Sequence, residues 1–190
     1  MFIESTRNET VKRARALASS KGRREQGLHL AEGATLVREA VAGGVPLREA
    51  FLEQGGQDMR SLLQGGGARV YEVTRPVLES ICTTKTPQGI CATAVTPDTT
   101  PPAQYPPGLI VALDRLADPG NLGTIVRTAD AMGATGLLLG EGCADPFAPK
   151  ALRSSMGSAY HLPLWQAVLT EQLPRLKEQC FTLLCGHLQG

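Results

Sequence analysis

The chain has 190 residues, with 19 Lys and Arg against 18 Asp and Glu, 42% hydrophobic residues and only 4% aromatic ones. That length suits one generous domain or two small ones, and the composition is that of a folded globular protein. It excludes a membrane-spanning chain, since no apolar run reaches about 18 residues, and the few aromatics argue against nucleic-acid recognition by base stacking.

The opening "MFIESTRNETVKRARALASSKG" contains acids and no apolar stretch, so it does not read as a secretory signal. The five cysteines are odd in number and form no C-x-x-C pair, which predicts free thiols in a reducing cytoplasm, with no zinc site and no disulfide frame. Residues 1–95 carry 13 Lys and Arg against 10 Asp and Glu. Seven of those cations fall within residues 7–24: Arg7, Lys12, Arg13, Arg15, Lys21, Arg23 and Arg24, with Glu9 the one acid among them. Such a patch attracts phosphates; a solvated helix face is the competing explanation.

In chain order, Ser5 or Thr6 is suited to cap a helix running to about residue 18, with Val11, Ala14, Leu17 and Ala18 turned inward. "GLHLAEG" reads as a short strand and "ATLVREAVAGG" as a helix stopped by Gly43 and Gly44. "LREAFLE" and "ARVYEV" read as strands around a helix at 57–64. "RPVLESIC" reads as a helix with Pro in its first turn, and "ICATAV" as a last strand. These elements make a first α/β domain over residues 1–95.

The segment "TPDTTPPAQYPPG" has five prolines. Proline removes backbone donors and fixes φ, so residues 96–107 are expected to be a linker. A second domain, 108–190, alternates more strictly. Strands are expected at 109–113, 136–139, 161–165 and 180–185, and helices at 121–132, 149–156 and 168–178. This alternation implies a parallel sheet with right-handed crossovers, whose ligands bind beyond the carboxyl ends of the strands.

The loop after the first of these strands leads into "DPGNLGTIVRTADAMGA". Leu122, Ile125, Val126, Ala129 and Met132 form one apolar stripe at helical spacing. Arg127 lies roughly opposite that stripe, one turn after Gly123, where a missing side chain would admit a ligand or partner. Asn121 is a natural N-cap. The dinucleotide fingerprint, the Walker A loop, the H-E-x-x-H pair and the Ser-His-Asp order are all absent. His29, His161 and His187 are scattered and read as surface or packed side chains.

"DPGNLGTIVRTADAMGA" resembles the first signature of the SpoU (TrmH-like) group of SPOUT RNA methyltransferases, N-x-G-x-x-x-R-T-A, through Asn121, Gly123, Arg127, Thr128 and Ala129. "DPFAPKALRSSMGSAYHLPL" (145–164) resembles the second signature, with Arg153, Ser155, Gly157, Leu162 and Pro163. "KGRREQGLHLAEGATLVREAV" and "TKTPQGICA" resemble the two ends of that family's ribosomal-protein-like substrate-binding domain. The resemblance implies an α/β fold in two parts, a small substrate-binding domain and then a parallel-sheet SPOUT domain. It also implies S-adenosylmethionine-dependent 2′-O-methylation of ribosomal or transfer RNA in a cytoplasmic homodimer, with no metal and no membrane.

The family's third signature, a G-x-E-G-type loop, Ser-Leu-Asn and the knot, does not follow "CFTLLCGHLQG". Cofactor contacts expected within the chain are therefore confined to Gly186 and His187. Arg127 and Asn121 are the implied catalytic pair. The implied RNA contacts are Arg7, Lys12, Arg13, Lys21, Arg23, Arg24 and Arg153. Two alternatives stand beside this reading: an RNA-binding remnant without catalysis, and a small-molecule α/β enzyme, against which the basic patch and paired signatures count.

Overall fold

The computed structural model describes residues 1–54 and 59–186. The first half is a five-stranded mixed sheet. Its strands are β1 (Phe2–Ile3), β2 (Leu28–Glu32), β3 (Leu47–Glu53), β4 (Arg69–Val73) and β5 (Ile90–Val95), in the order β1-β4-β3-β5-β2. β3 and β4 run parallel, and β5 lies antiparallel between β3 and β2. The connecting helices are α1 (Glu9–Ala16), α2 (Ser20–Gln26), α3 (Ala34–Ala42), α4 (Arg60–Gly65) and α5 (Arg75–Ile81).

Alternation along the strands splits the apolar residues between two faces. Leu30, Phe51, Tyr71 and Cys91 face α1 and α5, whose Val11, Ala14, Val77 and Leu78 are buried. On the other face, Ala50, Leu52 and Ala92 meet Leu36 and Val37 of α3 and Leu63 of α4.

The second half is a three-stranded parallel sheet, β6 (Ile110–Leu113), β7 (Gly136–Leu139) and β8 (Leu164–Gln166), in that order. The helices α6 (Pro119–Ala131), α7 (Pro149–Ser155) and α8 (Leu169–Glu178) connect or follow these strands. The apolar core does not stop between the halves. Leu36, Val37 and Ala40 of α3 belong to the same buried cluster as Leu122, Val126, Leu152 and Tyr160.

Several expectations need correction. Asn8, not Ser5 or Thr6, caps α1, accepting from the Thr10 amide at 2.9 Å. Ala18 is exposed, because the helix has already ended at Ala16. α2 and β1 were not legible: α2 is six polar residues and a glycine with no apolar period, stopped by Gly27 in the left-handed region (φ 62°). The helix expected at 57–64 is α4, which begins at Arg60; positions 57 and 58 lie outside the described residues. β8 starts three residues later than expected because Ser158–Tyr160 forms a single 3-10 turn. No strand forms at 180–185. Cys180 takes φ 65°, residues 181–186 find no ladder partner among the described residues, and Leu184 is 93% exposed. An apolar run signals burial, and without a neighbouring strand it does not make a ladder.

The proline-rich segment has no regular structure, yet it is pinned to the second half. Tyr105 is buried, its hydroxyl donates to Gln172 Oε1 at 2.7 Å, and its ring meets Trp165 edge-on at 5.3 Å.

Candidate functional site at the carboxyl end of the parallel sheet

β6 ends at Leu113, and the chain turns through Asp114 and Arg115, the latter at φ 50°. Asp118 then caps α6: its carboxylate accepts from the Asn121 amide at 2.8 Å and from Lys150 Nζ, at the start of α7, at 2.8 Å. The Lys150 ammonium first, and then the Asn121 amide, hold the Asp118 carboxyl below the usual carboxylate range. Asn121 is therefore not the N-cap. It sits inside the first turn with its residue exposed. Asp118 takes the cap because Pro119, which lacks an amide, fits the first helical position.

Leu122, Val126 and Ala129 are buried, as the stripe predicts, and Ile125 is half-buried. Met132 departs from it at 74% exposure, since it follows the last helical residue and leaves the helical path. Arg127 is exposed, and among the described residues no hydrogen bond or ion pair engages its guanidinium.

The glycine one turn earlier has a different purpose from the one expected. A Cβ on Gly123 would lie 2.3 Å from the Ala151 carbonyl oxygen and 2.6 Å from Ser154 Cβ. Gly123 thus lets α6 and α7 touch backbone to backbone, and it opens no ligand space. α7 ends at Met156 (φ 51°) and Gly157 (φ 99°), where a Cβ on Gly157 would strike Glu39 of α3 at 2.4 Å. The second signature therefore joins the two halves.

Arg153 belongs to that junction. Its Nη1 donates to Thr83 Oγ1 at 2.7 Å and to Glu32 Oε2 at 3.3 Å, and the Glu32 side chain is only 3% exposed. Glu32 also accepts from Thr83 N and Thr84 N. Arg153 is thus engaged inside the chain, and it borders a cavity of about 270 Å³ with Gln88, Ile90 and Met156.

The early basic patch does not present itself as one surface. Lys12 pairs with Glu9 at 2.7 Å, Arg13 with Glu49 at 2.9 Å, and Lys21 with Glu25 at 3.7 Å. Arg7 and Arg24 are exposed. Arg23 is buried, and the expectation that it contacts RNA is overturned. Its Nε and Nη2 reach Asp145 Oδ2 at 2.8 and 2.7 Å, and its Nη1 donates to the Leu17 and Ala18 carbonyls at 2.9 and 3.1 Å. A guanidinium that satisfies two carbonyls and a carboxylate has no fork left for phosphate.

Arg24 borders a cleft of about 490 Å³ between the halves, together with Ser20, Thr96, Thr99, Cys143 and Gln166. Gln166 closes β8, and Cys143 lies on the loop after β7, so this cleft opens at the carboxyl end of the parallel sheet. A second concavity, of about 400 Å³, gathers Arg13, Arg48 and Arg69 with Glu49. No local pattern marks Arg48 and Arg69 as partners, because they stand 21 positions apart; the parallel register of β3 on β4 brings them together.

Gly186 is exposed, and a Cβ built on it meets nothing within 4 Å, so no cradle forms there. His187 lies outside the described residues. Among the described residues no group of three His, Cys, Asp or Glu is placed to hold a metal.

Comparison with known proteins is consistent across both halves. Residues 8–92 match the MRM3-like substrate binding domain and residues 108–190 the SpoU rRNA Methylase family. A tRNA/rRNA methyltransferase of Synechocystis is 40% identical over 95% of this chain and 66% of its own length. The Bacillus subtilis 23S rRNA (guanosine(2553)-2′-O)-methyltransferase RlmP is 33% identical over 93% of this chain and 69% of its own. The chain thus spans about two thirds of these relatives, and 38% of the human mitochondrial rRNA methyltransferase 3, to which it is 34% identical. Among solved structures, an AdoMet-bound rRNA methyltransferase from Sinorhizobium meliloti superposes with a TM-score of 0.82 at 34% identity, covering 94% of this chain and 68% of that one. AviRb of Streptomyces viridochromogenes, in complex with AdoMet, gives 0.77 at 28% identity, covering 92% and 68%. On these matches the chain belongs to the SpoU family of the SPOUT RNA methyltransferases.

Proposed function

We propose that the chain acts in S-adenosylmethionine-dependent 2′-O-methylation of a ribose in ribosomal or transfer RNA, and that Arg127 is its catalytic cation. The observation that carries this reading is the state of Arg127. On a helix whose cap and neighbouring helix are tied by charge, it is the one cation, and it stands exposed with no partner among the described residues. The donor supplies an electrophilic methyl group on a sulfonium. The described residues do not enclose a pocket for it around Gly186, and what they supply is the RNA side of the reaction.

A ribose hydroxyl becomes nucleophilic as its proton leaves, here to solvent water. Arg127 stays protonated and is a poor base, so it acts by charge: it grips the neighbouring phosphate and stabilises the alkoxide developing on the 2′ oxygen. Asn121, six residues earlier on the same helix and exposed, orients the ribose. The substrate approaches across the cleft bordered by Arg24, with Arg7, Lys12, Arg13 and Lys21 adding to the field that draws RNA in. Arg153 acts indirectly by fixing the two halves. A homodimer would bring the exposed face of α6, with Met132 just beyond its end, against a second copy.

The test compares wild type with Arg127→Ala for melting temperature, RNA affinity and methyl incorporation from labelled S-adenosylmethionine. Stability should shift by less than about 1 kcal/mol because little buried surface is lost. RNA affinity should stay within about two-fold, while the methylation rate falls about 100-fold or more. A variant that methylates at the wild-type rate overturns the catalytic assignment. Intact RNA binding with no methyl transfer by the wild type would instead favour a purely RNA-binding role.

A further inference from the structure

We propose that the concavity formed by Arg13, Arg48 and Arg69 at the amino ends of β3 and β4 is a phosphate site for the RNA backbone. It would hold the RNA on the far side of α2 from the cleft bordered by Arg24. The inference rests on the RNA-directed function proposed above and adds a second place at which the RNA backbone is held.

Three observations carry it. First, charge: the three arginines surround about 400 Å³ of open concavity with Glu49 as the one acid in its lining. Glu49 is already engaged by Arg13 Nη2 at 2.9 Å and its side chain is only 18% exposed. Two cations, Arg48 and Arg69, are exposed, and no acid pairs with either among the described residues. Like charges held together on a folded surface raise one another's energy, and a bound anion relieves that cost.

Second, rigidity: Arg48 and Arg69 sit at the start of adjacent strands, next to the Glu49–Arg69 register pair. The backbone of Arg13 is tied to α2 by Gln26 Nε2, which donates to the Arg13 carbonyl at 3.1 Å. The cations are thus presented from strands and a helix, where guanidinium groups are suited to bidentate phosphate contact.

Third, continuity: Gln26 and Leu28 line this concavity, while Gly27 between them lines the cleft that holds Arg24 and Gln166. The two depressions therefore meet across the turn that ends α2. A backbone lying over that turn would place one stretch of phosphates among Arg13, Arg48 and Arg69 and another beside Arg24, at the carboxyl end of the parallel sheet. The cations at this ridge come from positions 13, 24, 48 and 69, so the RNA-facing set differs from the run of charges at 7–24.

The test measures binding of a fluorescein-labelled RNA hairpin to the full 190-residue chain across a salt series, for wild type, Arg48→Ala/Arg69→Ala and Arg38→Ala. Arg38 is an exposed cation on α3, on the other face of the sheet. The double variant should weaken binding by about 10-fold or more and reduce the slope of log K against log salt by about 1.5 to 2, as expected when two phosphate contacts are lost. Arg38→Ala should leave both quantities close to wild type, and the melting temperature of the double variant should not fall. Wild-type binding that is insensitive to the double variant, or that loses as much per charge in Arg38→Ala, overturns the site and leaves the proposed function standing. Binding lost in the double variant alone, in a chain that transfers no methyl group, supports the site and removes the enzymatic reading. A wild type that does not bind the hairpin at low salt overturns both.

Discussion

Arg23 and Arg24 are neighbours in sequence with opposite fates, and the difference is set by what each guanidinium meets. Arg23 is 7% exposed, forked onto Asp145 and two carbonyls, whereas Arg24 is exposed on the rim of the interdomain cleft. Arg23→Ala strands a partly buried carboxylate and two carbonyls, and its cost should be on the order of 3 kcal/mol. Arg24→Ala should leave stability within about 0.5 kcal/mol and instead flatten the salt dependence of RNA binding by about one phosphate contact. Chemical denaturation and RNA titration on the two single variants check this; equal losses of stability would mean that Arg24 too is held inside. From the sequence the two residues were indistinguishable members of one basic run. The partner that claims Arg23 lies 122 positions away, and no local pattern reports such a distance. The exposure of Arg127 was legible for the converse reason: its isolation opposite an apolar stripe is a local property, and the stripe's Leu122, Val126 and Ala129 did go inside.

At the scale of elements, the pairing of α6 with α7 governs the shape of the site. The two helices touch through Gly123, where any side chain would overlap the Ala151 carbonyl and Ser154, and Lys150 ties the start of one to the cap of the other. Gly123→Ala should therefore cost about 2 kcal/mol or more through overpacking, since backbone cannot move aside as a flexible side chain does. The effect should appear as a lower melting temperature, with a loss of methylation larger than that of RNA affinity because Arg127 rides on the displaced helix. A Gly123→Ala protein as stable as wild type would show that the helices are free to separate. The same physics explains which elements the sequence revealed. α3, α6 and α8 have a clear apolar period or a cap and were found within a few residues. α2 carries no apolar side chain, and β1 has two residues; both exist only because tertiary neighbours complete them. The run at 180–185 shows the reverse, with strand-like composition and no neighbour to pair with among the described residues.

At the scale of the whole molecule, the two halves share one apolar cluster, and at its polar margin sits His29. It is fully buried, with Nε2 3.0 Å from the Tyr160 hydroxyl and its ring 5.2 Å from that of Phe147. It comes from β2 in the first half, and both rings come from the second. Burial pushes the His29 pKa down to about 4, from about 6.5 for a free imidazole; Asp145 opposes that shift and Arg23 adds to it. Burial likewise pushes the Tyr160 hydroxyl up, so it keeps its proton. Because the folded pKa lies below the unfolded one, the unfolded chain takes up a proton at pH values where the folded chain does not. His29 thus leaves stability intact above about pH 6.5 and removes it progressively as pH falls toward 4, by about 3 kcal/mol in all. Since the affected residue sits in the seam and the core is continuous, the loss should lower a single cooperative transition rather than detach one half. Calorimetry between pH 7.5 and 4 should show one endotherm whose midpoint drops through that window. In His29→Gln, which retains a polar partner for Tyr160 but does not titrate, the drop should be smaller by that amount, although the variant starts from a lower stability at neutral pH. An unchanged pH slope in His29→Gln would place the acid sensitivity elsewhere. Two separated endotherms in the wild type would show that the shared cluster does not bind the halves into one folding unit.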